Sequence, residues 1–213
     1  MKRILIPLLI FTLFLAGCAP VIYKAKDFSS ITATHKTVAI LPADVIIQLR
    51  PNEMKKTSAE QMIRLEEQTG RSIQDKMYTW FLKRSNKFKY TVSFQDISRT
   101  NALLLQAGLD YDHIKTKTKD ELARLLEVDA VISTKASMDK PMSDGAAIVV
   151  GVLIGSWGST NQVQTSISIN EALKGELVWK YDYVASGSVG SSPERLVNDL
   201  MRNASRKFPY NAK

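Results

Sequence analysis

The chain has 213 residues, with 29 lysines and arginines against 21 aspartates and glutamates, and a formal net charge of +8. It contains one cysteine and two histidines, so an internal disulfide is excluded, and a histidine-based metal site or catalytic triad is nearly excluded. A chain of this length forms one domain with a substantial core.

The N-terminus is a secretory leader that ends at the only cysteine. Lys2 and Arg3 precede the apolar run 4–15, which is too short to span a bilayer as a helix. The run leads into the tetrapeptide Leu15, Ala16, Gly17 and Cys18, which resembles the lipobox of bacterial lipoproteins. The resemblance implies that residues 1–17 are a signal peptide cleaved after Gly17. Cys18 would then carry a diacylglycerol and an N-linked acyl chain such as palmitate.

The mature chain is expected to face the periplasm from the outer membrane. Ala19 follows the cysteine, which resembles the default for outer-membrane sorting. Residues 18–36 show no sustained periodicity and predict an anchor and linker, which would reach about 60 Å if fully extended. For an envelope protein with a moderate, dispersed positive charge, anionic lipid or cell-wall polymer is a more suitable partner than nucleic acid.

The first half of the remaining chain predicts alternating strands and helices. The apolar run Thr37–Pro42 predicts a buried central strand. After Pro51, a capping box at Thr57 and Glu60, or at Ser58 and Gln61, predicts a helix with an apolar stripe. Further along, we expect a strand at Tyr90–Phe94, a helix capped by Ser98 and a loop at Lys115–Lys119. The capping box at Thr118–Glu121 then opens a helix, and a buried strand follows at Val128–Thr134.

The second half predicts a long antiparallel hairpin and a final helix. Residues 162–171 alternate strictly between apolar and polar side chains, Lys174-Gly175 marks a turn, and alternation resumes at Leu177. Pro193 opens an amphipathic helix. We therefore expect one α/β domain over residues 37–210, with α+β character at its C-terminal end. Its sheet would be mixed, with helices packed on it.

An apolar insertion lies at 141–161, between the second buried strand and the hairpin. It is too short for a transmembrane helix and lacks the alternation of a barrel strand. It either extends the core or forms an exposed contact with a membrane or a neighbouring subunit. In the second case the contact residues are Ile148, Val149, Val150, Val152, Leu153, Ile154 and Trp157.

Three segments together resemble a family of envelope lipoproteins that share the fold of the TolB N-terminal domain. They are Thr37–Pro42, Asp120–Ile132 and Gly175–Trp179. The group includes the curli secretion channel CsgG, the polysaccharide-export lipoprotein PelC, the penicillin-binding-protein activator LpoB, and lipoproteins described as peptidoglycan-binding. The resemblance covers roughly residues 37–208 and carries over no catalytic residue.

No motif in the chain indicates an enzyme, a metal site or a cofactor. Phosphate-binding and dinucleotide-binding loops are absent, and the Ser-rich segments 155–159 and 186–190 lack the first glycine of a nucleophile elbow. The acidic group at 110–121 is explained by helix capping. Asp129 has an unusual position within a buried segment, where we expect it to cap or to pair locally.

The sequence therefore predicts a lipid-anchored envelope protein that binds and does not catalyse. The first hypothesis is a structural or accessory factor in cell-envelope assembly that contacts peptidoglycan or its synthases. The second is a subunit of an oligomeric export channel or pore ring, similar to CsgG or PelC. The insertion at 141–161 discriminates between them, because a ring subunit would use it, or the hairpin, for subunit contacts or membrane insertion.

Overall fold

The computed structural model describes residues 20–49, 51–139, 162–186 and 193–211. In these ranges seven strands form one mixed sheet. The strands are β1 (Val21–Lys24), β2 (Thr37–Ile40), β3 (Asp44–Gln48), β4 (Ser93–Phe94), β5 (Ala130–Asp139), β6 (Gln162–Glu171) and β7 (Leu177–Ser186). Their order is β1-β7-β6-β5-β2-β4, and β3 pairs with the distal half of β5.

Helices cover both faces of the sheet. They are α1 (Phe28–Ile31), α2 (Pro51–Met54), α3 (Ala59–Phe88), α4 (Ile97–Gln106), α5 (Tyr111–Thr116), α6 (Lys119–Leu125) and α7 (Pro193–Lys207). Residues of α3 and α7 pack with Val38 and Ile40 on one face, whereas α4, α5 and α6 pack with Ala39 and Leu41 on the other. The α/β prediction, with a mixed sheet and helices packed on it, is confirmed.

Strand β2 is the buried central strand that the sequence predicts. Val38, Ala39 and Ile40 are each fully buried. The strand pairs in parallel with both β4 and β5. Because successive side chains of a strand point to opposite faces, the continuous apolar run supplies both cores at once.

Helix α3 is continuous over 30 residues and begins at one of the two predicted capping boxes. Ser58 accepts a hydrogen bond from the N–H of Gln61, and the Gln61 side chain accepts one from the N–H of Ser58. Gly70 does not break the helix. It allows close approach to the sheet, because a Cβ there would lie 2.3 Å from the carbonyl oxygen of Ala43.

Several local predictions between residues 90 and 120 are wrong in detail. The strand at Tyr90–Phe94 is reduced to two residues. The N-cap of α4 is Asp96 and not Ser98, since the Asp96 carboxylate accepts hydrogen bonds from two backbone N–H groups. Much of the predicted loop at 115–119 belongs to helices, because Asp110 caps α5 just before it. The capping box at Thr118–Glu121 is confirmed.

The hairpin and the final helix are confirmed. Nine of the ten residues of β6 pair with β7, and Val163, Thr165, Ile167 and Ile169 lie buried on one face. Gly175 occupies the turn with φ of +72°. The apolar face of α7 is buried against the sheet and α3.

The predicted linker is wrong for most of its length. Strand β1 pairs antiparallel with β7, with Val21 opposite Asp182 and Lys24 opposite Trp179. Phe28 of α1 is 5% exposed and packs edge-on against the ring of Tyr210, with centroids 5.3 Å apart. The sequence signal was weak because a four-residue edge strand with both faces partly in solvent shows no clear alternation.

Two predicted features lie outside the described residues. They are the leader with its tetrapeptide Leu15, Ala16, Gly17 and Cys18, and the apolar insertion at 141–161 with Ile148, Val149, Val150, Val152, Leu153, Ile154 and Trp157. Among the helices that the structure describes, none is long and apolar enough to cross a membrane.

Candidate functional site

One end of the sheet collects the chain segments to which the sequence assigns membrane contact. Asp139 ends β5 and lies opposite both Gln48, at the end of β3, and Gln162, at the start of β6. Gln162 in turn lies opposite Ser186 at the end of β7. Since β1 runs antiparallel to β7 and begins opposite Asp182, the chain enters β1 from this same end. We call it the anchor end of the sheet.

The distance between the predicted lipidation site and the fold is short. Only Ala19 and Pro20 separate Cys18 from Val21, where β1 begins. Three residue steps span at most about 10 Å. The linker prediction implied a reach of about 60 Å over 18 residues, so the structure reduces the expected reach to about one sixth of that value.

Strand β1 is an edge strand with an apolar exposed surface. Val21, Ile22 and Tyr23 are 68%, 43% and 49% exposed, and Lys24 follows them. One side of β1 pairs with β7, and no described strand pairs with its other side. Apolar strand edges are usually shielded in soluble proteins. The exposed apolar edge of β1 is therefore typical of a contact with a surface or a partner.

Both ends of the predicted membrane-contact insertion emerge at the anchor end. Asp139 and Gln162, which precede and follow residues 140–161, lie directly opposite each other. The predicted contact residues themselves lie outside the described ranges. The described residues Asp139 and Gln162 and the start of β1 thus lie toward the same end of the sheet.

A polar cluster lies at the end of the sheet opposite the anchor end. Nδ1 of His35 is 2.8 Å from the hydroxyl of Tyr210. The Asp129 carboxylate accepts hydrogen bonds from the N–H groups of Lys36 and Thr37, at 2.8 and 2.9 Å. Asp129 therefore caps a neighbouring backbone segment, as the sequence predicts, although the partner lies 92 residues away.

The carboxylate of Glu171 completes this cluster, and it too is occupied by backbone donors. It accepts hydrogen bonds from the N–H groups of Leu173, Lys174 and Glu176, at 2.6–3.2 Å. Burial acts to raise the pKa of Glu171, but these hydrogen bonds outweigh it and hold the pKa below its usual value. The Glu171 carboxylate thus stabilises the turn between β6 and β7.

Burial also shifts the pKa values of His35 and Tyr210, the other two side chains of the cluster. It lowers the pKa of His35 below 6.5, although the charges of Asp129 and Glu171 act in the opposite direction. It raises the pKa of the Tyr210 hydroxyl well above the ordinary range. Burial thus favours the neutral form of both groups.

The acidic group at 110–121 serves helix capping, as predicted. The Asp110 side chain accepts from the N–H groups of Asp112 and His113, and these contacts lower its pKa. Glu121 accepts from the N–H of Thr118. Asp120 pairs with Arg124. In the ranges that the structure describes, no group of three or more His, Cys, Asp or Glu side chains could hold a metal ion.

No family model matches the sequence, and no curated protein sequence matches it. Among solved structures, the chain is similar to the PelC dodecamer of Paraburkholderia phytofirmans, with 9% identity and a TM-score of 0.43 over 88% of this chain and 94% of that one. It is also similar to lipoprotein GNA1162 of Neisseria meningitidis, with 10% identity and a TM-score of 0.41 over 80% and 94%. The LpoB C-terminal domain of Salmonella enterica matches with 12% identity and a TM-score of 0.37 over 75% and 93%.

PelC and LpoB belong to the group of envelope lipoproteins that the sequence resembles, and GNA1162 is itself a lipoprotein. At identities of 12% or less and TM-scores of 0.43 or less, these similarities assign no ligand or partner to this chain.

Sequence reasoning missed β1 and the role of His35. It placed both in the linker, whereas the structure places β1 in the sheet and His35 against Tyr210. The apolar triplet Val21-Ile22-Tyr23 carried a β-strand signal, but nothing near it in sequence indicated its partner β7. His35 carried no local signal.

Proposed function

We propose that the chain is a lipid-anchored envelope protein whose domain works by binding, immediately next to the outer membrane. The observation that carries this proposal is the lipobox-like tetrapeptide Leu15–Cys18, followed within three residues by the first strand of the fold. The anchor would hold the domain within about 10 Å of the bilayer surface. The domain would then be an accessory factor in cell-envelope assembly that contacts peptidoglycan or its synthases.

A non-catalytic role is part of the proposal. The carboxylates that come together at the far end, Asp129 and Glu171, are occupied by backbone donors. His35 lies against the Tyr210 hydroxyl, and burial lowers its pKa and favours the neutral imidazole. In the described part of the chain, the clustered titratable groups are thus accounted for by structural roles.

Membrane fractionation tests the anchor. Cys18→Ala should move the protein from the membrane fraction to the soluble periplasmic fraction, and it should abolish incorporation of an alkyne-tagged fatty acid. Ser29→Ala, on an exposed position of α1, is the matched control and should leave both readouts unchanged. If Cys18→Ala stays with the membrane, or if the wild-type chain takes up no fatty acid, the lipoprotein proposal is wrong.

The insertion at 141–161 would make a second contact with the same membrane through Ile148–Ile154 and Trp157. Supporting this, both flanks of the insertion emerge at the anchor end. Lipidated Cys18 would leave no other thiol in the chain, so a thiol introduced as Val150→Cys can be probed alone. It should be protected from a membrane-impermeant maleimide in vesicles and should react in the unlipidated protein with Cys18→Ala. Thr79→Cys, exposed on α3, should react in both. Equal labelling of Val150→Cys in the two states would contradict the contact.

The open edge of β1 favours a second function, a subunit of an export channel or pore ring. Its three exposed apolar residues could pair with a neighbouring copy, since an open edge offers unpaired backbone donors and acceptors. Light scattering on the chain from residue 19 onward, with and without residues 143–159 and with Ile22→Lys, tests this. A strict monomer in every case would rule out the ring, whereas loss of an oligomer in Ile22→Lys would support it.

A further inference from the structure

The C-terminal half of α3 and nearly all of α7 form a basic face that extends toward the end of the molecule opposite the anchor end. Residues 74–89 and 195–207 contain nine lysines and arginines and only two acidic residues, Asp75 and Asp199. This excess of seven positive charges exceeds the formal net charge of the whole chain after the leader, which is +6. The two helices pack directly against each other, so their charges share one surface.

The register between α3 and α7 places Arg84 and Arg202 at equivalent positions in the two helices. The indole N–H of Trp80 donates to the side-chain oxygen of Asn198 at 2.6 Å. Just beyond the end of α3, the Tyr90 hydroxyl donates to the carbonyl of Ser205, so the two helices run in the same direction. Arg84 and Arg202 each lie four residues, about one turn, beyond the Trp80–Asn198 pair. They therefore occupy equivalent positions across the helix contact.

Both guanidinium groups are only partly satisfied. The Nε atoms of Arg84 and Arg202 are enclosed and have no hydrogen-bond acceptor among the described residues. Arg202 pairs at its other end with Asp199, at 2.9 Å. Arg84 lies over the rings of Trp80 and Phe88, with its guanidinium carbon 5.6 and 5.9 Å from the ring centroids. Asp199 is the one carboxylate that forms a salt bridge with either arginine among the described residues, so the pair carries an excess positive charge.

Interaction with the helix dipole does not account for this pair. Cations in the last turn of a helix complement its dipole, which explains Lys87 in α3 and Arg206 in α7. Arg84 and Arg202 lie further inside their helices, each four residues beyond the Trp80–Asn198 contact. Arginine is the side chain that binds carboxylate and phosphate in a bidentate manner and tolerates partial desolvation.

The basic face points away from the predicted anchor. The N–H of Ala43 donates to the carbonyl of Gly70, and α3 runs from that level away from the anchor end. Arg84 lies fourteen residues beyond Gly70, which is about 21 Å along the helix. A domain held within about 10 Å of the bilayer at the anchor end presents this face toward the periplasm and not to its own membrane.

We propose that Arg84 and Arg202 form a binding site for the carboxylate groups of the cell-wall polymer, with Lys83, Lys87 and Arg206 around it. This inference rests on the proposed envelope function and gives it a binding surface. Lys83 also lies over the Trp80 ring, with its Nζ 4.9 Å from the ring centroid, and adds positive charge beside the pair. Peptide stems of peptidoglycan carry several carboxylates, so neighbouring guanidinium groups can bind more than one at a time.

Co-sedimentation with purified peptidoglycan sacculi tests the site, using the full-length protein in nonionic detergent. The double variant Arg84→Gln with Arg202→Gln should bind at least about tenfold more weakly, as expected for the loss of two charge-assisted contacts. Arg64→Gln is the control, because it removes one arginine charge from an exposed position near the other end of α3. It should bind within about twofold of wild type.

Three results would overturn the proposal. The double variant could bind as wild type does, Arg64→Gln could weaken binding equally, or the wild-type protein could bind phosphatidylglycerol vesicles through these arginines and not sacculi. Arg202→Lys keeps the charge and should bind more weakly than wild type, so it carries the test if the double variant fails to fold. The double variant should still fractionate with the membrane. The anchor is tested separately by Cys18→Ala. Failure of that test would leave the sacculus result standing.

Discussion

Replacement of Phe28 separates the observed N-terminal structure from a flexible linker. Phe28 is 5% exposed and contacts the ring of Tyr210 and the ammonium group of Lys24, which lies 4.4 Å from the Phe28 ring centroid. If residues 18–36 were a linker, Phe28→Ala would not change stability. Because the side chain is part of the core, its removal forfeits the transfer free energy of a buried phenyl ring and leaves a cavity beneath α1.

The expected cost is about 3–4 kcal/mol, since a fully buried phenylalanine contributes about 1.5–3 kcal/mol by transfer and the cavity and ring contact add to it. The measurement is urea unfolding of the chain from residue 19 onward, followed by circular dichroism. With a slope of about 2 kcal/mol per molar urea, the midpoint should fall by about 1.5–2 M.

Leu173→Ala is the control for this measurement, because Leu173 is 89% exposed in the hairpin turn and its loss should change stability by less than about 0.5 kcal/mol. A loss of less than about 1 kcal/mol for Phe28→Ala would refute the packing of α1 on the core.

Three further predictions follow from the structure. Gly70→Ala should destabilise the protein by about 1–2 kcal/mol in the same urea assay, because overlap with the carbonyl of Ala43 outweighs the better helix propensity of alanine; Ser72→Ala, exposed on α3, should change stability by less than about 0.5 kcal/mol. The folded state lowers the pKa of His35, so its contribution to stability is full above 6.5 and is lost as the pH falls through the lowered pKa. Urea midpoints of wild type should therefore decrease more between about pH 7.5 and pH 5 than those of His35→Gln, with His113→Gln as the control; parallel curves for wild type and His35→Gln would contradict this. The folded state also lowers the pKa of Glu171, so its contribution is present above 4.5 and is lost as the pH falls through the lowered pKa. Glu171→Gln should cost about 1–3 kcal/mol at pH 7 and much less near pH 3, and a cost independent of pH would show that charge is not involved.

The fold class and the best-patterned elements could be predicted from the sequence because their signals are local. Strand β2 is a continuous apolar run, and the hairpin alternates over ten residues on each side. The capping boxes at Ser58 and Thr118 mark the starts of two helices by side chains that reach only three residues. These signals do not depend on where the element lies in the fold.

The details of the middle region could not be predicted, because competing local signals were of similar strength. Asp96 and Ser98 can both cap a helix, and the backbone direction at α4 selected Asp96. Lys115 was assigned to a loop because it alternates with threonines. Yet Asp110 caps a short helix whose Tyr111 packs against Gly70 and donates to the carbonyl of Ala43. Tertiary packing therefore stabilises α5 more than its own propensity does.

The sequence by itself predicted the leader and the lipidation site, and it determined the α/β character and the absence of a recognisable catalytic motif. Only the tertiary structure decided that the fold begins at Val21, and that both flanks of the insertion emerge at the anchor end. It also decided that α3 and α7 pack together, with Trp80 hydrogen-bonded to Asn198 one turn before Arg84 and Arg202. The physical reason is that strand pairing and helix register join residues more than a hundred positions apart, and no local pattern encodes that distance.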